Sequence, residues 1–470
     1  MKMLIRNIKI VLVLFLLLSS ALLAGLVIQQ NRSKNQFAAA AGENRAGLKA
    51  RYANAGTIFA RDGSILAQSK NGKRTYSKDS TLAKAALHVV GDYTHHVGNT
   101  VEAVYQGQLL GTDRNLLHQL FLDFSGHGLE GDNATLTLDP DLSKKAYQLL
   151  KGRKGAIVLL NYKTGAVLAS VSSPSTSPDS VILWKNIPDT ALFDRAFLGS
   201  YAPGSTFKLV TAAAWMSSPA FDETLTVDCG GKSTVVESGA DETTKGHGVV
   251  NLGEAFSRSC NVFFGYVGVE TGKDNLLKAA QDFGIGDTLS VDRLEVRTSQ
   301  IKTADQDPGT LSWLAIGQPN EFSTLRISPL QMALMAGAVG NDGKMVQPRI
   351  IDHLTDPVGT HYQQLEPKIL KTVMDKASAA KLEALMLDAT LHGTGSPAAV
   401  KGFSVAGKTG TVQVESKKNN ALYVGYIQED ECPYAISVVV EEAGSGGKAA
   451  APLAAQMLKA ATQLKASGNP

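Results

Sequence analysis

Hydrophobic residues run from position 10 to position 28 without a single charge. Nineteen such residues are enough to carry a helix across a bilayer. The run is longer than a signal-peptide core and continues past any small-residue cleavage site. No cysteine lies near its end for a lipoprotein anchor. The pattern therefore predicts an uncleaved transmembrane anchor at 10–28, after a short cytoplasmic tail at 1–9. Lys2, Arg6 and Lys9 precede the span, whereas Arg32, Lys34 and Arg45 follow it. The charge rule leans towards an inside N-terminus. Residues 29–50 are polar and alanine-rich and read as a tether.

After the tether the period changes. Thr57-Ile58-Phe59-Ala60 and Ser64-Ile65-Leu66-Ala67 read as strands joined by a turn at Asp62-Gly63. A mixed region extends to about 133, and Thr135 to Leu138 predicts another strand. Asp139 caps the next helix, with Pro140 in its first turn, and that helix runs to about Leu150. Residues 51–150 are then expected to form a small α+β module without a catalytic constellation. His95-His96 is a close histidine pair there, but neighbouring side chains on a regular element diverge. Its expected role is structural.

A second module is expected at 151–465. Ala156-Ile157-Val158-Leu159-Leu160 and Ala166-Val167-Leu168-Ala169-Ser170-Val171 flank Asn161-Tyr162-Lys163-Thr164-Gly165 as a hairpin. Its arms are too apolar to lie on an open surface. An alanine-rich helical run follows Tyr201-Ala202-Pro203-Gly204-Ser205-Thr206-Phe207-Lys208. The glycine-rich polar stretch at 230–248 gives way to a helix from about Leu252. A buried helix begins at Pro329, with Met332 and Met335 in core packing. A further helix is expected at 372–390. Lys408-Thr409-Gly410-Thr411 opens a strand, two β-rich segments follow at 421–427 and 434–440, and 451–464 closes the chain as a helix.

Candidate chemistry sits at three places. Three residues of helix bring Lys208 to the face of Ser205. A serine hydroxyl needs a neighbouring base to become a nucleophile, and a lysine with a lowered pKa supplies one. The free N–H groups at the helix start suit an oxyanion. Ser259 and Asn261, two apart beside an apolar run, can face one cleft as proton relay and amide holder if a turn separates two helices. Helix capping is the simpler role for such a pair. Lys408 can hold a carboxylate, Thr409 and Thr411 can add hydroxyl contacts, and Gly410 leaves room for an extended substrate along the strand edge. Ser299-Gln300-Ile301-Lys302 repeats the serine–lysine spacing in a polar linker, without matching context.

Composition narrows the field. Of 470 residues, 44% are hydrophobic and 19% charged, and the formal charge is only +3, so nothing points to a nucleic-acid partner. Cys229, Cys260 and Cys432 form no C-x-x-C pair; with three cysteines at most one disulfide closes. The sequence carries no metal or cofactor signature.

Ser205-x-x-Lys208, Ser259-Cys260-Asn261 and Lys408-Thr409-Gly410 fall in the order of the three signatures of serine penicillin-recognising enzymes. With His247-Gly248, Ile316-Gly317-Gln318, Ser328-Pro329-Leu330-Gln331-Met332-Ala333 and Ala406-Gly407-Lys408-Thr409-Gly410-Thr411, residues 50–460 resemble monofunctional, class B penicillin-binding proteins. The resemblance makes Lys163-Thr164-Gly165 part of the family's first sheet hairpin, not its active-site strand. It implies an α+β penicillin-binding transpeptidase and serine β-lactamase-like fold, an antiparallel sheet with helices on both faces. It also implies a D,D-transpeptidase in which a D-Ala-D-Ala stem peptide acylates Ser205. Lys208 is then the base, Ser259 the proton shuttle and Asn261 a donor-binding residue. Lys408 and Thr409 receive the terminal carboxylate beside Gly410 and Thr411, and the backbone N–H groups of Ser205 and Thr411 form the oxyanion hole. Expected partners are nascent or lipid-linked peptidoglycan and β-lactams as covalent inhibitors. The region between the anchor and the catalytic domain is short for the family, so neither a large pedestal nor a glycosyltransferase domain is expected there, and a multi-span membrane polymerase and other wall-synthesis proteins are expected as further partners. Localisation is expected on the outer face of the cytoplasmic membrane. Ala202 and Pro319 depart from the proline and glycine common at those places. The motifs alone leave open a D,D-carboxypeptidase, a β-lactamase or a non-catalytic scaffold.

Overall fold

The computed structural model describes residues 2–40, 45–230, 246–303, 307–362, 366–414 and 417–466. Most of the polar stretch at 230–248 lies outside them. The first helix, Lys2–Ala40, contains one segment long and apolar enough to cross a membrane, Arg6–Gly25, with mean hydropathy 2.5 and none of it buried. The helix does not stop at residue 28. Alanine and unbranched polar residues sustain it through the expected tether to Ala40, and a second helix, Arg45–Arg51, follows.

Two sheets organise the rest. The larger has five antiparallel strands, in the order Val405–Val412, Asn420–Ile427, Tyr434–Val440, Gly155–Asn161 and Val167–Ser173. Its strands are apolar on both faces because both are covered. Val158 and Leu160 pack into one core, and Ile157 and Leu159 into the other, as the two-residue period dictates. On the first face lies the helix Pro329–Gly340, buried from Pro329 to Val339, which no amphipathic helix could be. Gly337 lets it close on Tyr162 and Ala435 of the sheet. The second face is covered by Pro140–Leu150 and the C-terminal helix Ala451–Ala466.

The smaller sheet corrects the expected module. Its six strands run in the order His361–Tyr362, Ile351–Thr355, Asn133–Leu136, Ile58–Phe59, Ile65–Lys70 and Lys73–Tyr76. Segment 51–150 is not self-contained. Asn133–Leu136 pairs with Ile58–Phe59 on one side and needs Ile351–Thr355 on the other. The Pro140–Leu150 helix, capped by the Asp139 carboxylate as expected, buries its apolar side under the larger sheet. The helix expected from 372 begins at Lys376, because Ile369–Thr372 is drawn into a strand against Lys344–Val346.

Candidate active site

The nucleophile segment folds as a single 3₁₀ turn, Gly204–Phe207, leading into the helix Lys208–Met216. Three residues per turn eclipse Ser205 and Lys208 on one side. Gly204 has φ +54, and its N–H donates to the carbonyl of Gly317 at 2.9 Å. Thr206 Oγ1 donates to Pro203 O at 2.8 Å, fixing the turn from within. Tyr201 is held by two backbone bonds to Ile327 and by its hydroxyl on Glu441 at 2.8 Å. Ser205 is half-buried, whereas Lys208 is fully buried.

Ser259 closes the helix Leu252–Arg258, and Asn261 opens the helix Asn261–Thr271. The turn between helices is therefore present, and Ser259 takes a left-handed conformation, φ +60 and ψ 37, that is costly outside glycine. That twist turns Ser259 and Asn261 towards the same amine. Lys208 Nζ donates to Ser259 O at 2.6 Å and to Asn261 Oδ1 at 2.7 Å, with Ser259 Oγ at 3.3 Å. Lys408 Nζ approaches the same hydroxyl from the sheet, 2.8 Å from Ser259 Oγ and 3.3 Å from Thr409 O. Burial, and secondarily the charge of Lys208, hold the Lys408 amine well below the ordinary lysine range. The ring of Phe264 lies beneath Lys208 and that of Phe256 beneath Lys408, at 5.4 and 5.8 Å. Two buried amines thus share one serine hydroxyl, an arrangement able to pass a proton in either direction.

The strand Val405–Val412 is an edge of its sheet. The carbonyl of Thr409 accepts from Lys408 Nζ and that of Thr411 from Gln318 Nε2, so both carbonyls turn away from the neighbouring strand. In an antiparallel ladder the N–H of such a residue turns the same way. The N–H of Thr411 therefore faces the free edge beside the Ser205 turn. Thr409 Oγ1 donates to Thr394 Oγ1 at 2.8 Å, and Thr411 Oγ1 accepts from Gly446 N–H at 3.1 Å. Gly410 serves a different end from the one expected. A Cβ there would meet Pro203 O at 2.8 Å and Thr206 Cγ2 at 2.9 Å. The space it vacates is filled by the nucleophile turn, because side chains leave a strand from its faces, not its edge.

Ser205, Lys208, Ser259, Asn261, Lys408, Thr409, Gly410 and Thr411 are thus brought together. The sequence lookalikes are not. Lys163-Thr164-Gly165 forms the hairpin turn, with Lys163 against exposed Asp430. Gln300–Thr303 is a strand, so Ser299 and Lys302 share no helical face. His95 bonds the Tyr52 hydroxyl, while His96 lies against Trp184. Sequence reasoning missed Thr394, whose only signal was its place in the Gly393-Thr394-Gly395 turn after a helix. It also missed a separate grouping. Cys229 Sγ lies 3.4 Å from His247 Nδ1 and 3.1 Å from Cys260 Sγ, with no disulfide formed, and the three ligand atoms fall within 4.8 Å of one another. Two thiols and an imidazole are a donor set that could hold zinc.

The profile of the penicillin binding protein transpeptidase domain matches residues 155–459. The chain belongs to this family of penicillin-binding transpeptidases. This penicillin-binding protein is of the class B, monofunctional type and is a peptidoglycan D,D-transpeptidase working through a serine acyl-enzyme. It is 28% identical over 435 residues to the peptidoglycan D,D-transpeptidase PbpA of Mycolicibacterium smegmatis, covering 85% of this chain and 87% of the relative. Among solved structures it is similar to the D,D-transpeptidase domain of a peptidoglycan glycosyltransferase from Eggerthella lenta, with TM-score 0.76, 28% identity and coverage of 89% of this chain and 99% of that one. It is also similar to penicillin-binding protein A of M. tuberculosis in a ceftriaxone acyl-enzyme complex. There the TM-score is 0.78 and the identity 26%, over 88% of this chain and 99% of that one.

Proposed function

We propose that Ser205 is the residue acylated and that the groups around it take the roles their contacts suggest. Ser205 Oγ attacks the carbonyl carbon of the penultimate D-alanine of a stem peptide, while Lys208 takes its proton. The N–H groups of Ser205 and Thr411 receive the developing oxyanion. The C–N bond breaks, and the departing D-alanine collects its proton through Ser259. Lys408 and Thr409 hold its carboxylate, Gly410 keeps the strand close to the nucleophile turn, and Asn261 holds the donor peptide. An amine of a neighbouring strand then attacks the ester, forms the crosslink and frees Ser205. The observation that carries this reading is the meeting of Lys208 and Lys408 on the hydroxyl of Ser259, beside the Ser205 turn. β-Lactams would stop at the Ser205 ester.

The 10–28 segment then anchors the chain in the cytoplasmic membrane, with 151–465 on the outer side acting on nascent or lipid-linked peptidoglycan. A multi-span glycan polymerase supplies the strands. The test is a pentapeptide donor supplied with and without an acceptor amine. Crosslinked product that requires Ser205 supports the reading. Free D-alanine and trimmed donor alone, with acceptor present, would replace it with a carboxypeptidase.

A further inference from the structure

Gln318 takes no part in the serine–lysine chemistry, yet its side chain lies on the free edge of the catalytic strand. Its Nε2 donates to Thr411 O at 3.4 Å, and its Oε1 accepts from Gln413 N–H at 3.3 Å. One side-chain amide thus spans the carbonyl of residue 411 and the N–H of residue 413, as the N–H and C=O of a single residue in an added parallel strand would. An open strand edge is a template for any extended peptide. Here the template is already occupied, and only by two long bonds from a half-exposed side chain. The backbone behind that side chain is fixed. Gly317, at φ +78, accepts the Gly204 N–H and closes on the Ser205 turn with no room for a Cβ. Gln318 can therefore leave the edge by rotating its side chain, without disturbing the turn.

We propose that Gln318 is a placeholder for the acyl donor. Its amide holds the Thr411 and Gln413 edge positions in the free enzyme and is displaced when an amide of the donor binds Thr411 O. Gln318 is on this account a positioning residue that discriminates acylating compounds by whether they carry such an amide. The proposal rests on the reading of Ser205 and Thr411 given above.

The test compares second-order acylation rates of the wild type, Gln318→Ala and Gln318→Glu in the full-length protein. The probes are penicillin G, which carries a side-chain amide, and imipenem, which does not. Glutamate keeps an acceptor for Gln413 but sets a carboxylate against Thr411 O. Clearing both weak bonds should raise the penicillin G rate roughly three- to tenfold in Gln318→Ala, clearing the Thr411 bond alone should raise it by a smaller factor in Gln318→Glu, and the imipenem rate should stay unchanged in both. A purely structural role would slow both compounds together. That result, or an unchanged ratio, would overturn the proposal. Mapping the wild-type adduct separates the two levels. An adduct away from Ser205 defeats the underlying reading, whereas an adduct on Ser205 with an unchanged ratio defeats only the placeholder.

Discussion

Gly317→Ala is a severe test of how the site is spaced, because the residue touches no substrate. An added Cβ would sit 2.6 Å from Gly204 C and 2.9 Å from Phe207 Cβ, and closer still to Gly204 O. Carbon pairs rest at about 3.5–4.0 Å, so the 316–318 loop and the Ser205 turn must part by roughly 1 Å. Alanine at φ +78 adds about 1–2 kcal/mol of backbone strain. Overpacking adds about 1–3 kcal/mol more, and against the unfolding entropy of so long a chain the sum should lower the melting temperature by roughly 2–8 °C. The functional effect should be larger. Gly204 also abuts the catalytic strand, where a Cβ would lie 2.8 Å from Thr411 O. Moving the turn therefore changes the separation of the Ser205 and Thr411 N–H groups. A misplacement of about 1 Å costs on the order of 100-fold in rate. The assay is the time course of covalent labelling by a fluorescent penicillin, run at least 10 °C below the variant's melting point. Labelling within threefold of wild type by a folded variant would refute the claim that this loop sets the spacing.

Two further outcomes follow from other parts of the site. Ser259→Ala removes the hydroxyl shared by both lysines but keeps the Lys208 bonds to Ser259 O and Asn261. It should fold normally and acylate roughly 100- to 1,000-fold more slowly; near-normal rates would remove Ser259 from the proton path. Asp194 is buried, with Oδ1 accepting from Ser172 Oγ, Ala196 N–H and Phe197 N–H. Burial lifts its carboxyl from 3.8 to about 6. The folded state therefore holds an extra proton between those values, and stability falls as pH rises through about 6. Relative to Asp194→Asn, the wild type should lose about 2 kcal/mol between pH 4 and pH 8, most of it below pH 6. Parallel melting curves for the two proteins across that range would contradict this.

What could be read from the sequence was mostly local. Ser205 and Lys208 lie within one turn, Asp139-Pro140 carries its own helix start, and the strand period of 156–160 sorts side chains between two cores. Contacts made at long range were not legible. Ser259 and Lys408 meet across 149 residues of chain, and only the family pattern joined them beforehand. Nothing in Ile351–Thr355 announces that it will complete a sheet begun at Ile58, because an edge accepts any strand of suitable register. Cys229, His247 and Cys260 are scattered in sequence and converge because the turn at Cys260 packs against the strand at Cys229. Gly410 was read for its freedom along the edge, but its purpose depends on the turn that packs over it, which only the fold reveals.

The identity of the acylated residue tests the central claim most directly. Full-length protein is incubated with penicillin G, digested, and its adduct located by fragment masses. One penicilloyl ester on Ser205, persisting for many minutes after free drug is removed, is the expected result. An adduct on any other residue, no adduct, or release within seconds would contradict the account.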